Sequence, residues 1–276
     1  MSHARITIVH DSFGRRSSLR QDWGFAALVE FGGQRILFDT GNDARTFAAN
    51  CAALDVDLQR LDYAVISHRH GDHTSGLAHL LNVNPRLAIY TPDETYGVFG
   101  SSLPGTFYPR RETLPRHMRY FDGAPPAVIR HGTPWPGANF VWTKESAEVS
   151  PGVSVIPVVS DVPGTRELRE IALGLRTARG LVLIAGCSHP GIESILAASR
   201  AVDDGVFCLF GGLHLVFTAA EEVQRLAVAL RDEWKLSRIA PDHCTGEPAF
   251  EALAEAFGGD YVFAGLGEVI DLPEPA

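Results

Sequence analysis

The chain has 276 residues, 45% of them hydrophobic and 21% charged, with a formal net charge of −9. That length allows one large core or two small ones, and the apolar share excludes a disordered chain. The acidic balance repels phosphate backbones and so excludes generic nucleic-acid binding, while leaving room for a local pocket that takes a small anion.

The first strands expected in chain order are RITIVH, FAALVEF and RILFDT, with the turn GGQ joining the second and third as a hairpin. DARTFAANCAAL then has helical spacing of apolar residues. YAVIS reads as a buried strand, TSGLAHLLN as a short helix behind it, and RLAIYT as the next strand. This alternation argues for a layered α/β protein. From about Tyr96 to Asn139 the regularity fails and Gly and Pro are frequent. The aromatics Phe107, Tyr108, Tyr120 and Trp135 argue for an ordered insertion folded over something, with Arg110, Arg111, Arg116 and Arg119 forming either a solvated basic patch or a wall for an anionic substrate. Strands resume at NFVWTK, VSVIPVVS, IALGLRT and LVLIAG, the last two as a hairpin turning at ARG. ESILAASRAV is helical, VFCLFGG a strand, and AAEEVQRLAVALRDEW the clearest amphipathic helix. RIAPDH, PAFEALAEAFG and YVFAG close the set as strand, helix and strand.

The chemistry concentrates at Ser67-His68-Arg69-His70-Gly71-Asp72-His73, directly after the strand YAVIS. Imidazole and carboxylate are costly to bury unless paired, hydrogen-bonded or metal-bound. His68 and His70 at i, i+2 can turn to one side of a loop, and Asp72 and His73 can point to a second position nearby. Zinc takes three or four such ligands, and a catalytic site keeps one position for water. A solvent-exposed histidine-rich loop is the alternative, but it explains neither the residue types nor their placement. Three later loops each follow a strand and carry a histidine: Gly186-Cys187-Ser188-His189, Gly211-Gly212-Leu213-His214 and His243-Cys244-Thr245-Gly246. With the cluster in place, His189 and His243 become candidate ligands. His214 becomes a candidate ligand, proton carrier or substrate contact.

This pattern resembles the metallo-β-lactamase superfamily, whose HxHxDH signature is met by His68, His70, Asp72 and His73. Phe38-Asp39-Thr40-Gly41 looks like its Asp-Thr-Gly turn, in which Asp39 would sit structurally behind the metal loop. Within the superfamily the chain is most similar to the dihydropterin-ribofuranosyl-aminobenzene-phosphate synthase-like branch, marked by GCSH, GG-x-HL and HCTG. The resemblance covers nearly the whole chain. It implies a four-layer αββα sandwich of two mixed β-sheets, a single domain over residues 1–276, with the 96–139 insertion over an active site at one edge. It also implies His68 and His70 on a first metal, and Asp72, His73 and His243 on a second. Two departures stand out. Asp161 occupies the place of a usual ligand histidine, and Cys187 that of the usual bridging aspartate. We assign completion of the first metal to His189, ahead of Asp161 or Cys187.

The resulting expectation is a metal-dependent hydrolase with two divalent ions, Zn foremost and Mn or Fe as alternatives, generating a hydroxide that attacks a small anionic phosphodiester or cyclic ester or amide. Asp72 and His214 are the expected catalytic residues. Two alternatives are a pterin-precursor synthase of the same branch and a non-catalytic metal- or ligand-binding scaffold. The N-terminus carries no signal-peptide pattern and no stretch approaches the roughly 18 apolar residues of a membrane span. Cys51, Cys187, Cys208 and Cys244 form no CxxC pair. A cytoplasmic protein without membrane or nucleic-acid partners is expected.

Overall fold

In the computed structural model, residues 4–93, 101–131, 135 and 137–276 are described. The parts of the 96–139 insertion at 96–100, 132–134 and 136 lie outside them. The first half of the chain builds one sheet and its helices: β1 (Arg5–His10), β2 (Ala26–Phe31), β3 (Gln34–Phe38), α1 (Ala44–Ala53), β4 (Tyr63–Val65), α2 (Gly71–Thr74), α3 (Leu77–Val83) and β5 (Ala88–Pro92). A small hairpin follows, β6 (Ser101–Pro104) with β7 (Val128–His131), before β8 (Asn139–Thr143) returns to the first sheet. The second half supplies β9 (Ala147–Ser150), β10 (Val153–Val159), β11 (Arg169–Thr177), β12 (Gly180–Ala185), α4 (Ile192–Ser199), β13 (Val206–Gly212), α5 (Ala220–Asp232), β14 (Arg238–Asp242) and α6 (Glu247–Phe257). β15 (Val269–Asp271) crosses back to pair with β1.

The sheets run β15-β1-β2-β3-β4-β5-β8 and β14-β13-β12-β11-β10-β9. Both are mixed: β3, β4, β5 and β8 are parallel neighbours, as are β12, β13 and β14, while the remaining pairs are antiparallel. The inner faces share one core, with Ile6, Phe25, Phe38 and Val65 of the first sheet against Val155, Leu173, Ile184 and Phe210 of the second. Each fully buried aliphatic or phenyl side chain contributes about 1.5–3 kcal/mol to holding the sheets together. Helices α4, α5 and α6 cover the outer face of the second sheet through Ile195, Leu226, Leu230 and Leu253. Helices α1 and α3 cover the first through Phe47, Leu77 and Leu80. This is the αββα sandwich that the sequence motifs imply.

Local chemistry accounts for the joints. Gly32 and Gly33 both adopt positive φ in the two-residue turn between Phe31 and Gln34, the backbone of a tight hairpin turn. The helix expected over TSGLAHLLN is found as α3, starting three residues late at Leu77, with Thr74 closing the preceding turn α2. Gly76 lies between the two because a Cβ there would sit 2.0 Å from the Thr40 carbonyl oxygen, so the chain passes too close to Asp39-Thr40 to admit a side chain. YVFAG, expected as a strand, contributes only an isolated bridge between Tyr261 and Ile239. The true partner for β1 lies further on, at Val269–Asp271. Among the described residues no helix is long and apolar enough to cross a membrane.

Candidate metal centre

The parallel strands end on one edge of the sandwich, and the loops leaving them carry the histidines. This is where open α/β sheets place ligands. β3 delivers Asp39, β4 delivers His68 and His70, β12 delivers Cys187 and His189, β13 delivers His214, and β14 delivers His243. Asp72 and His73 sit in α2, whose single turn starts after His70. The Thr40 amide and hydroxyl both donate to the His73 carbonyl at 2.8 Å, tying the Asp-Thr-Gly turn to this loop.

The six expected ligands do converge. His68 and His73 ring centroids are 4.2 Å apart, His68 and His189 4.6 Å, His70 and His189 4.7 Å, and His73 and His243 4.9 Å. The Asp72 carboxylate lies 3.8 Å from His73 Nε2 and 3.5 Å from His243 Nε2. His68, His73 and His243 are fully buried. Four groups of three side chains have ligand atoms within 4.8 Å of one another: His68, Cys187 and His189; His73, Cys187 and His243; His68, Asp72 and His73; and Cys187, His214 and Cys244. Asp161 belongs to none of them and is exposed.

Second-layer carboxylates fix how two of these rings point. Asp39 lies 2.7 Å from His73 Nδ1 and also accepts from the Ser67 amide and hydroxyl, each at 2.7 Å. Glu170 accepts from the amides of Cys187, Ser188 and His189 at 2.8, 2.7 and 2.9 Å, and lies 3.1 Å from His189 Nδ1. Each arrangement places an Nδ1 proton on a carboxylate and leaves Nε2 for an ion, the usual support of a metal-bound imidazole. Both ring nitrogens of buried His243 lack any hydrogen-bond partner, as does Nδ1 of His214. Orphaned buried nitrogens are costly unless something absent from the protein completes them, so the residues present fit a divalent ion.

Electrostatics agree. Burial, aided by the neighbouring imidazoles, pushes His68 well below the usual histidine range, and burial likewise lowers His189. Both are therefore neutral and able to bind metal at pH 7. His73 differs: although burial opposes its charge, the Asp39 and Asp72 carboxylates raise it to about 9. Metal at His73 must displace that Nε2 proton, so binding weakens as pH falls.

The sequence reading missed two supports. Glu170 is the first. The register that pairs Leu173 with Ile184 brings it opposite Cys187, yet it stands at the end of the charged run RELRE, which reads as surface. The second is Trp23, whose Nε1 donates to Asp72 Oδ2 at 3.0 Å. The ring is 2% exposed and packs on Phe107 at 4.6 Å and Tyr120 at 5.0 Å. Trp23→Phe keeps an aromatic ring but deletes that N–H. Zinc affinity, measured by chelator competition, is expected to fall about tenfold, the scale of lost outer-layer partners. Unchanged affinity would mean that Asp72 is oriented without Trp23.

A cavity of about 230 Å³ opens onto the centre, lined by His70, Asp72, Cys187, His189, His214 and Cys244 together with Trp23, Phe107, Val216 and Phe217. Phe107 brings the insertion to the cavity wall. The arginines do not follow it: Arg110, Arg111, Arg116 and Arg119 are all absent from this lining. Arg111 pairs with Glu251 at 3.6 Å, and Arg116 faces a different cleft with Arg15 and Arg16.

The fold and the residues at this edge match the metallo-β-lactamase pattern, and the comparisons show the same fold and family. The model of the beta-lactamase superfamily domain matches residues 34–203, and the chain belongs to that family. A Methanocaldococcus jannaschii relative, 7,8-dihydropterin-6-methyl-4-(beta-D-ribofuranosyl)-aminobenzene-5'-phosphate synthase, is 25% identical over 292 aligned residues, spanning 96% of this chain and 95% of its own length. The crystal structure of Tm1679, a metal-dependent hydrolase of the beta-lactamase superfamily, superposes with a TM-score of 0.74 at 23% identity, covering 99% of this chain and 100% of that one. The metallo-beta-lactamase fold protein YhfI from Bacillus subtilis gives 0.60 at 13% identity, covering 99% and 100%. At such identities the structural likeness speaks to the fold alone.

Proposed function

We propose that this chain is a metal-dependent hydrolase with a two-ion centre, acting on a small substrate whose scissile bond is an ester, cyclic amide or phosphodiester. The observation that carries the reading is the paired support of His73 by Asp39 and His189 by Glu170, with both ring nitrogens of buried His243 left without a hydrogen bond beside them. A single structural histidine needs no such arrangement.

In this reading His68, His70 and His189 hold one ion, and Asp72, His73 and His243 the other. Zn is favoured, with Mn or Fe as alternatives. The ions supply Lewis acidity: they polarise the scissile group and lower the pKa of water at the centre. Asp72 is oriented by the Trp23 N–H and presents its carboxylate between the His73 and His243 rings. His214 lines the same cavity, with its ring centroid 4.4 Å from that of His189. Burial opposes its charge, but Cys244 beside it raises its pKa, which favours a proton there near neutral pH. That suits it to protonate a leaving group. Trp23, Phe107 and Phe217 give the cavity an apolar wall that suits an apolar or ring-bearing substrate. Because the insertion arginines lie elsewhere, an anionic group on the substrate would have to be met by the ions themselves.

The test is metal content of protein purified without chelator, together with turnover of bis-(p-nitrophenyl) phosphate. About two ions per chain with turnover lost on chelation and restored by Zn, Mn or Fe supports the reading. No bound ion and no turnover after any of these additions favours the non-catalytic binding role. One observation favours a second enzymatic reading: the near full-length likeness to the Methanocaldococcus jannaschii synthase, with an aromatic-walled cavity that suits a flat ring. Formation of the product in that relative's name, in the absence of any phosphodiesterase turnover, would favour it.

A further inference from the structure

Cys187 occupies an unusual place. It belongs to three of the four groups whose ligand atoms gather within 4.8 Å. One contains His68 and His189, another His73 and His243, and these two groups have no other member in common. Its Sγ lies 3.1 Å from His73 Nε2. The residue is 3% exposed and faces the cavity, and its amide is anchored on Glu170 at 2.8 Å, so its backbone is held in place. Zinc–sulfur and zinc–nitrogen bonds are about 2.3 and 2.0–2.1 Å. A sulfur whose Sγ gathers within 4.8 Å of both imidazole sets is placed to meet an ion on either side.

Resting on the two-ion reading above, the geometry points to Cys187 as a bridging thiolate shared by both metal positions. The thiol proton leaves to solvent when the ions bind, as for any cysteine ligand. The Sγ then donates one lone pair to the ion at His68 and His189, and another to the ion at His73 and His243. This gives the centre a soft donor, which favours Zn or Fe over Mn. The nearby Cys244 is the competing sulfur. Its Sγ donates to the Cys187 carbonyl at 3.7 Å and it joins Cys187 and His214 in the fourth group. It reaches neither His68 nor His73 in any of the groups.

The experiment loads the full chain with Co(II) alone, after chelation, and records bound cobalt and the near-ultraviolet thiolate-to-cobalt charge-transfer band on the same samples. The wild type is expected to bind about two ions and show the band. Cys187→Asp, which substitutes a bridging carboxylate, should keep both ions and lose the band. Cys187→Ala should lose the band and one ion. Cys244→Ser should keep both, and circular dichroism of each variant checks folding. Two cobalt ions with no band in the wild type would overturn the bridge while leaving the two-ion reading intact. A band that survives in Cys187→Asp and vanishes in Cys244→Ser would overturn it in favour of Cys244. Failure of the wild type to bind cobalt would overturn both readings. As a second readout, Cys187→Asp is expected to shift competitive loading from Zn toward Mn. An unchanged preference would also count against the thiolate.

Discussion

His73→Ala is expected to strip one metal ion from the chain and to lower its melting temperature by on the order of 10 °C. The imidazole does two jobs at once. Its Nε2 faces Asp72 and Cys187, where the proposed ion would bind, and its Nδ1 is 2.7 Å from Asp39, with both side chains fully removed from solvent. Without it, Asp39 keeps only its two contacts from Ser67 and becomes a buried carboxylate without its charge partner. Removing one member of such a pair costs about 3–5 kcal/mol, and for a chain of this size each kcal/mol moves the melting temperature by about 2–4 °C. The double variant Asp39→Asn/His73→Ala should recover part of the loss, because the uncompensated charge is gone. Metal analysis and calorimetry on the three proteins decide the matter. Full metal content in His73→Ala with an unchanged melting temperature would remove His73 from both roles.

Glu170→Gln is expected to be nearly as damaging, although the side chain touches no ion. One of its oxygens takes two amides, and the other takes the His189 amide and lies against His189 Nδ1. An amide side chain can accept on one side only, so its NH2 would face the donors on the other. Leaving those buried donors unmatched costs about 2–4 kcal/mol, and loss of the carboxylate frees His189 to rotate or change tautomer. Metal affinity should drop about 10- to 100-fold. The same residue predicts an acid dependence. Burial works against its charge, but His189 and the three amides overcome it and hold the carboxyl at about 2, against an ordinary value of 4.5. A depressed carboxyl stabilises the fold fully above the unfolded value, and the contribution disappears as pH falls from about 4.5 through about 2; it amounts to about 3 kcal/mol. Urea unfolding of wild type and Glu170→Gln between pH 2 and 6 should therefore show the gap between them closing toward the acid end. A gap independent of pH would assign the damage to packing.

Much of this architecture was readable before any coordinates because it is local. The hairpins at Gly32-Gly33 and Ala178-Arg179-Gly180, and the ligand cluster at the end of YAVIS, are written in contiguous residues. What escaped was set at a distance. Glu170 takes its meaning from lying across a strand pair from Cys187, and Trp23 from reaching 49 positions along the chain to Asp72. The late start of α3 after Gly76 goes with the Thr40 carbonyl pressing against that glycine. YVFAG has the composition of a strand but meets the outer edge of β14 only through a single bridge at Ile239. The insertion arginines illustrate the converse. Their position in the insertion left a solvated basic patch and a pocket wall both open; Phe107 lines the cavity and none of the four arginines does.

The centre straddles the two sheets. His68, His70, Asp72 and His73 belong to loops of the first, while Cys187, His189 and His243 belong to loops of the second. Among the described residues no strand of one sheet is a ladder neighbour of a strand of the other; the contact is mainly side-chain packing, crossed by the Ile171 amide donating to the Ser67 carbonyl at 2.7 Å and by the Tyr63 and Ser150 hydroxyls 2.7 Å apart. An ion coordinated from both sides would act as a rivet through that seam, opposing the slip and splay that apolar packing alone resists weakly. Its binding energy would then be shared with the cohesion of the whole sandwich. Damage at the histidine-bearing edge would be felt as loosening of the halves, and a metal-free chain would breathe along the seam first.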